Sequence, residues 1–407
     1  MLSGGLRARL DALLLCGFRP FFLFTSAWSA LAFAAWLAAL GGALALPTVA
    51  GGALAWHAHE MALGFGGAAL LGFLLTALPE FTASAAVPRR QVAMLALLWL
   101  GARAGFVLGG APGQWLAAVA ECALLAGALA MAAPRLWRDP ARRHLAFLWG
   151  LAALLACTVG YHAAALGGGQ QLAWLNAAVG VMMVFIVLAL SRISMRVVNG
   201  ALEERGETAV EYLARPPRRN LAMFCIALYT VVELLAPLAP VSGWIALAAA
   251  AALFNLTNDW HLGRVLFSRW VFMLYLVYWL MAAGYLLLGL ALLGVPLSPS
   301  AGRHLLMAGG MGLSIFVVMN IAGRIHAGVP LERGLRVPLG AGLIVGAALL
   351  RAGYGFAPLL LLGAAGGLWV AAFAWQFAAA WPVLSRPRGD GQSACAGLRE
   401  DIANPVA

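Results

Sequence analysis

Two histidines and a glutamate stand within four residues of one another at the start of a long apolar segment. His57, His59 and Glu60 precede a run that continues to Pro79, and about 20 apolar residues are enough to cross a bilayer. Ionisable groups at such a position are costly, and in membrane proteins they commonly bind a ligand or carry protons. The group is therefore our leading candidate site, and the alternative is a hydrated helix end.

Helical geometry separates the roles of these three residues. Residues three apart share a helix face, whereas residues two apart point to nearly opposite sides. We therefore expect His57 and Glu60 to face the same way and His59 to face elsewhere. One imidazole would then bind a metal, and Glu60 would accept a proton or orient His57.

Small residues follow at a spacing of four, namely Gly64, Ala68 and Gly72. Such a stripe lets a neighbouring helix approach closely, which is its common use. It would also give room for a flat macrocycle. We favour helix packing.

A second histidine begins a similar segment further along the chain. His304 is followed by Met307 and Met311 and by several glycines. Imidazole with thioether suits copper, and His with His or Met suits haem iron; the alternative is that methionine fills gaps between helices. His326 is 22 residues from His304, which is roughly 33 Å along a helix, so the two cannot bind one cofactor. The candidate metal ligands are His57, His59, His162, His304, His326 and Met307.

Other charged residues fall at or within apolar segments. Glu121 and Glu233 are the deepest, so we expect them, with Glu60, to handle protons. A self-satisfying pair of a glutamate with Arg103 is an equal alternative. Arg19 opens the first segment, where it would anchor the helix by reaching toward water or pair with an anionic group such as a haem propionate.

The composition identifies the class of protein in which these residues lie. Of 407 residues, 63% are hydrophobic and 10% are charged, and the mean hydropathy is +0.91. Soluble domains of this size carry more charge, and long apolar runs favour helices over a barrel, so we predict an all-α polytopic membrane protein. The net charge of +11 reflects loops at one membrane face, and we expect membrane lipid and no nucleic acid as a partner.

Apolar segments of about 20 residues recur about twelve times along the chain. They fall at 18–43, 54–79, 91–110, 114–133, 145–166, 171–195, 219–238, 241–257, 270–294, 303–325, 338–353 and 356–381. With this count, 23 of the 26 basic residues, all of them arginine, fall on one side, Arg303 and Arg351 fall on the other, and Arg103 lies inside a span. Positive loops face the cytoplasm, so both termini are predicted to be cytoplasmic, and His57, His59, His162 and His304 lie near the outer face.

The domain organisation follows from these spans. We predict a single transmembrane domain, 1–385, with six spans in 18–199, six in 219–381 and a solvated cytoplasmic linker, 200–218. A flexible cytoplasmic tail, 386–407, would follow. The five cysteines form no CxxC, CxxCH or paired framework, so we expect neither a structural disulfide nor covalently attached haem. No cleavable signal peptide is evident.

Three segments resemble one known family. GFRPFF at 17–22, HAHEM at 57–61 and GFLLTA at 72–77 are similar to the NnrS family, as are, less specifically, His304 before a glycine-rich helix and the segment 326–328. The resemblance covers nearly the full length. The segment 191–199 departs from the family's GRVIPxFT pattern, and Tyr275 stands where a histidine is expected.

The resemblance implies a bacterial inner-membrane protein of twelve helices that contains haem and copper and is associated with nitric oxide and nitrosative stress. It carries over to His57, His59, Glu60, His304 and His326, with Arg19 in support. We therefore expect haem b and copper bound through outer-face histidines, with nitric oxide as a small ligand. No catalytic turnover follows from the sequence.

Two alternatives stay open. A proton-coupled secondary transporter of a metal or small metabolite would suit the division into six and six spans and the buried Glu121 and Glu233. A redox enzyme of haem–copper type is the other alternative. Against it, the sequence contains no adjacent His-His pair.

Overall fold

The computed structural model describes residues 4–139, 142, 144–207, 210–392 and 395, and the regular elements of this part are all helical. The α-helices are α1 Gly4–Leu13, α2 Phe18–Leu40, α3 Gly52–His59, α4 Gly67–Phe81, α5 Arg89–Leu108, α6 Gly110–Arg138, α7 Leu145–Gly167, α8 Gln171–Glu204, α9 Pro216–Leu235, α10 Pro240–Leu256, α11 Arg269–Leu292, α12 Pro299–His304, α13 Gly312–His326, α14 Arg336–Ala352 and α15 Pro358–Leu384. Two π-helical segments are π1 Glu60–Gly66 and π2 Leu305–Met311. Short 3₁₀ turns occur at Thr257–Trp260, Gly263–Phe267 and Tyr354–Phe356.

Each of the twelve predicted spans corresponds to a helix, or to a helix with a π-helical segment inside it. In the described chain, ten of these are long and apolar enough to cross a membrane. The other two are α9, which contains Arg218, Arg219 and Glu233, and α14, which has 17 residues. The prediction of an all-α polytopic membrane protein is confirmed.

Two of the long helices are interrupted in the same way. π1 separates α3 from α4, and π2 separates α12 from α13, so each forms one helical span of about 30 residues with a widened turn near its start. A π-helical turn closes its hydrogen bonds over five residues instead of four, and such turns are often found at functional sites. Each π-helical segment directly follows a histidine, His59 in one case and His304 in the other.

The described chain divides into two compact units. Unit 1 consists of the described parts of Met1–Ala178, Ile321–Leu331 and Phe373–Arg399, and unit 2 of those in Val179–Asn320 and Glu332–Ala372. The predicted division at the linker 200–218 does not coincide with this boundary, because α8 continues unbroken into the linker as far as Glu204.

In unit 1, α2 packs closely on α4. Phe21, Leu71 and Leu75 belong to a buried core that α5 and α6 complete. A Cβ on Gly72 would lie 2.8 Å from the Phe22 ring, so only glycine permits this approach. The predicted packing role of the small stripe is confirmed at this position.

Described residues of the predicted linker and tail make contacts with the helices. Tyr212 of the linker is 2% exposed, and its backbone N–H and carbonyl bond the Asn199 side chain. At the start of the predicted tail, Arg388 is 4% exposed and bonds the backbone of His326, so this part of the tail packs on the helical domain. Residues 393–394 and 396–407 of the predicted tail lie outside the described residues.

Cys16 and Cys395 form a disulfide across 379 residues of sequence. The prediction that the cysteines form no pairs is therefore wrong for these two residues. It relied on cysteine spacing, and spacing contains no signal when the fold brings the two ends of the chain together.

Candidate functional site

Three ionisable side chains from three helices of unit 1 meet in one buried cluster. His59 ends α3, Glu121 lies within α6, and His162 lies in the last turns of α7. Glu121 Oε2 is 2.7 Å from His59 Nε2 and 3.0 Å from His162 Nε2. All three residues are at most 5% exposed. We call them the histidine–glutamate centre.

A buried arginine of α5 pairs with the centre. Arg103 Nη2 donates to Glu121 Oε1 at 2.6 Å, and Arg103 Nε lies 3.4 Å from Glu60 Oε2. Of the alternatives for the charges inside spans, the glutamate–arginine pair is the one that the structure contains. Two carboxylates and one guanidinium leave one negative charge, which is costly to bury in a membrane protein. A proton on an imidazole, or a metal cation, would balance it.

Glu60 fixes the orientation of His59 from the opposite side of the ring. Glu60 Oε1 lies 3.0 Å from His59 Nδ1, and the indole N–H of Trp28 donates to Glu60 Oε2. The predicted arrangement, with Glu60 facing His57 and away from His59, is wrong. The widened π1 turn begins at Glu60, and there the glutamate side chain reaches the imidazole of its immediate neighbour.

His57 lies among aromatic side chains of α2. Its ring stacks on Trp36, with centroids 4.5 Å apart and an angle of 14° between the planes. Phe33 contacts it edge-on at 5.4 Å. His57 therefore does not take part in the histidine–glutamate centre, although it belongs to the same helix as His59.

Aromatic rings and a small recess border the centre. The His59 ring is 4.2 Å from the Phe106 ring and 4.6 Å from the Tyr161 ring, measured between centroids. The recess has a volume of about 10 Å³, enough for about one water molecule. It is lined by Val49, Ala50, Phe106, Gln114, Tyr161, His162, Ala165 and Leu166. Gln171 Nε2 donates to the Ala50 carbonyl at 2.6 Å and so fixes the loop at the mouth.

The centre has the donor set of a mononuclear metal site. His59, Glu121 and His162 each contribute one ligand atom, and these three atoms lie within 4.8 Å of one another. Among the described residues, no other group of three His, Cys, Asp or Glu side chains meets this condition. Two imidazole nitrogens and a carboxylate oxygen bind zinc, iron and copper and leave coordination positions for a small ligand. A carboxylate on the other nitrogen of a metal-binding histidine, as Glu60 is on His59, commonly orients such a ligand.

His304 and Met307 lie in unit 2. His304 Nδ1 is 2.8 Å from the Ser300 carbonyl oxygen and 3.2 Å from the Ser300 hydroxyl. Arg351 Nη2 donates to the same hydroxyl at 3.1 Å. Met307 is half-buried within π2. Metal binding by either residue stays a prediction.

Glu233 forms an ion pair in unit 2. Arg303 Nη2 donates to Glu233 Oε1 at 2.8 Å, and the glutamate is 5% exposed. The arginine is one of the two that the sequence places on the outer side. Proton handling by Glu233 stays a prediction.

Two further predicted residues lie in unit 1, away from the centre along the chain. His326 Nε2 is 3.6 Å from Glu80 Oε1, and its ring is 5.8 Å from that of Phe18. Arg19 is fully buried, so it does not reach water as an anchor would. Its Nη1 instead donates to the backbone carbonyls of Ala12, Leu384 and Arg386.

Sequence reasoning missed the residues that complete the surroundings of the centre. Trp28, Tyr161 and Gln114 come from three different helices. An aromatic residue with a polar atom in an apolar span needs a hydrogen-bond partner when buried, and this was the signal available for Trp28 and Tyr161. Gln114 had no comparable signal.

Comparison with known proteins agrees with the motifs in the chain. The profile of the family described as "NnrS protein" matches residues 12–388. No curated protein matches the chain. The match covers nearly the whole length and includes every residue of the histidine–glutamate centre. The chain therefore belongs to the NnrS family.

Proposed function

We propose that the protein holds a transition metal, copper, at the histidine–glutamate centre and that nitric oxide binds there as part of the response to nitrosative stress in the bacterial inner membrane. The observation that supports this proposal is the convergence of three buried ligand atoms from separate helices beside a recess. Imidazole and carboxylate also suit iron and zinc, so the choice of copper rests on the family.

The surrounding residues would act on the ligands. Glu60 holds His59 by its Nδ1 and directs Nε2 toward Glu121. Arg103 holds the second oxygen of Glu121, so Oε2 is the oxygen available to a metal. Metal binding would displace the proton shared between Glu121 Oε2 and an imidazole, and Phe106 and Tyr161 would keep bulk water from the ligands.

Haem b does not fit at this centre. A haem would need the width of a macrocycle beside one of the ring nitrogens of His59, but both nitrogens lie against carboxylates and the ring is flanked by Phe106 and Tyr161 at 4.2 and 4.6 Å between centroids. Space beside Gly64 and Gly72 is filled by side chains, since a Cβ there would lie 2.5 Å from Arg103 Nη1 and 2.8 Å from the Phe22 ring, respectively. No flat macrocycle fits against that face.

His304 has surroundings that would suit a ligand of haem iron. Its Nδ1 faces a backbone carbonyl, which fixes the tautomer, and no described residue hydrogen-bonds its Nε2. Arg351 Nη1 is buried without a hydrogen-bond partner among the described residues, so a haem carboxylate could pair with it. We propose His304 as the haem ligand; a bound haem would supply an iron atom for nitric oxide.

The test is metal and haem content of the protein purified in detergent from haem-replete, copper-supplied cells. We expect His59→Ala and His162→Ala to lose copper and His57→Ala to retain it. His57 is the matched control because it lies on the same helix, among aromatic rings. Copper loss in His57→Ala with retention in His59→Ala would overturn the assignment.

A proton-coupled transporter is the second candidate function. Glu60, His59, Glu121 and His162 form a continuous buried series of contacts of 2.7–3.0 Å, which suits the passage of a proton as well as metal binding. Metal-free protein that moves protons in proteoliposomes, with transport lost in Glu121→Gln, would support this function over the first.

A further inference from the structure

The segment 385–392 docks on unit 1 through backbone contacts. The Arg386 carbonyl accepts from Arg19 Nη1 at 2.6 Å, and the Gly389 N–H donates to the Ala327 carbonyl at 3.0 Å. Arg388 Nη1 donates to the His326 carbonyl at 2.9 Å. The segment thus lies on the end of α13 and the turn that follows it, residues 326–328, which we call the His326 loop. We call the segment 385–392 the C-terminal strap.

An ion pair within the strap positions Arg388. Arg388 Nε donates to Asp390 Oδ1 at 2.9 Å, and Nη2 bonds the other carboxylate oxygen. The guanidinium lowers the pKa of Asp390 to about 2. Because a depressed pKa stabilises the docked form at every pH above the unfolded value of roughly 4, the pair does not release the strap at physiological pH.

The disulfide closes the strap onto the chain at the start of α2. Cys16 is 1% exposed, whereas Cys395 is half-buried. Both cysteines lie on the side that the arginine distribution predicts to be cytoplasmic. Disulfides in that compartment are commonly transient and redox-sensing, because thiol reductants keep it reducing.

We propose that Cys16–Cys395 is a redox-reactive site that latches the C-terminal strap over the His326 loop and opens on reaction with a cellular dithiol. Its position, a disulfide that joins two distant segments on the predicted cytoplasmic side, is the observation that carries the proposal. The site is separate in chain and chemistry from the histidine–glutamate centre, and the proposal does not depend on the function proposed for that centre.

The chemistry is a thiol–disulfide exchange. The reductant thiolate attacks Cys395 Sγ, the more exposed sulfur; the Sγ–Sγ bond breaks, and Cys16 leaves as a thiolate that takes up a proton. The second thiol of the reductant then displaces Cys395, so the dithiol becomes a disulfide and the protein gains two thiols. A disulfide of the glutathione class drives the reverse reaction and closes the latch.

Limited trypsin digestion tests the latch on the full chain in detergent. The bond after Arg388 is protected when the strap is docked, because Arg388 is 4% exposed. We expect dithiothreitol to raise the rate of cleavage after Arg388 by about tenfold, since proteolysis follows the population of the open form. Cleavage after Arg205, which is exposed in the linker, serves as the internal standard.

Matched variants separate the latch from general effects of the reductant. Cys395→Ser should be cut after Arg388 at the reduced rate with or without dithiothreitol, whereas Cys225→Ser, which changes a free cysteine, should behave as the wild type. Equal cleavage of the wild type before and after reduction would overturn the proposal. So would free thiols at Cys16 and Cys395 by mass spectrometry after treatment with glutathione disulfide.

Discussion

Two histidines in this protein stand at the same place in similar helices but have opposite surroundings. His59 and His304 each end a short α-helix directly before a seven-residue π-helical segment. His59 lies between two carboxylates, Glu60 and Glu121, at 3.0 and 2.7 Å. His304 lies against the carbonyl and hydroxyl of Ser300, and Arg351 bonds that hydroxyl.

The comparison separates the role of the backbone from that of the side-chain partners. The π-helical turn follows an imidazole in both cases, and it does not by itself determine what the imidazole binds. Acidic partners favour a cation at His59, whereas a carbonyl partner fixes the tautomer of His304 and leaves Nε2 without a hydrogen bond from the described residues. Substitutions at the two histidines and at their neighbours test this contrast.

Removing the carboxylate of Glu121, which contacts both His59 and His162, should have the largest effect on the histidine–glutamate centre. Glu121→Ala leaves His59, His162 and Arg103 without a partner in a buried site, and losing one member of a buried pair costs about 3–5 kcal/mol. We expect loss of copper and an unfolding free energy lower by that amount, measured by denaturant titration in detergent. Glu233→Ala is the control; its partner Arg303 is 25% exposed at the side chain, so the loss should be smaller, about 1 kcal/mol. Equal losses in the two variants would contradict the contrast.

Replacing each of the two histidines by alanine should remove one cofactor and leave the other. His304→Ala should lose most of the haem and retain copper, because only His304 of the pair has an open Nε2. His59→Ala should do the reverse. Visible absorption for haem and elemental analysis for copper measure both quantities in one preparation. Loss of both cofactors in both variants, with thermal stability unchanged, would contradict the assignment of one cofactor to each histidine.

Glu60, which contacts His59 Nδ1, should affect the metal affinity without being essential for metal binding. Glu60→Gln keeps a hydrogen-bond acceptor near Nδ1 but removes the charge, and losses of about 10–100-fold in metal affinity are typical of such changes. Copper titration with a competing chelator measures the affinity. Glu80→Gln, which alters an exposed glutamate near His326, is the matched control and should leave the affinity unchanged.

The two π-helical segments should tolerate an added methyl group differently. A Cβ on Gly64 would lie 2.5 Å from Arg103 Nη1, whose position is fixed by Glu121, whereas one on Gly310 would meet the Met281 side chain at 2.7 Å. Overpacking costs about 1–3 kcal/mol, and we expect that range for Gly64→Ala and less for Gly310→Ala, because methionine adapts. Thermal unfolding compares them, and a larger loss for Gly310→Ala would contradict the contrast.

Hydrophobic segments and arginine placement predicted the helices because both report directly on the bilayer. The apolar spans at 54–79 and 303–325 correspond to the two interrupted helices. The position of each residue along its span also predicted that His59 and His162 lie near the same membrane face. It further predicted that Glu121 is a deeply buried charge. These inferences require only length and polarity.

The details of the site depended on geometry that a regular helix does not have. A uniform helix places Glu60 with His57, and the π-helical turn places it with His59 instead. The disulfide between Cys16 and Cys395 and the docking of Arg388 on His326 depend on where distant segments meet. Spacing in sequence contains no information about such meetings.

The hydrogen bond from Gln171 to the Ala50 carbonyl has a consequence for exchange kinetics. It fixes the rim of the recess beside His162, and a Cβ on Gly51 would overlap the Gln171 amide. We expect this rim to admit molecules of two or three atoms and to exclude chelators of the bathocuproine or EDTA class, which are larger than the recess. We therefore expect a bound metal to be retained for hours in chelator and to leave faster in Gln171→Ala. Opening of the loop would then limit the rate at which the metal leaves, and a competition with chelator would need that time to reach equilibrium.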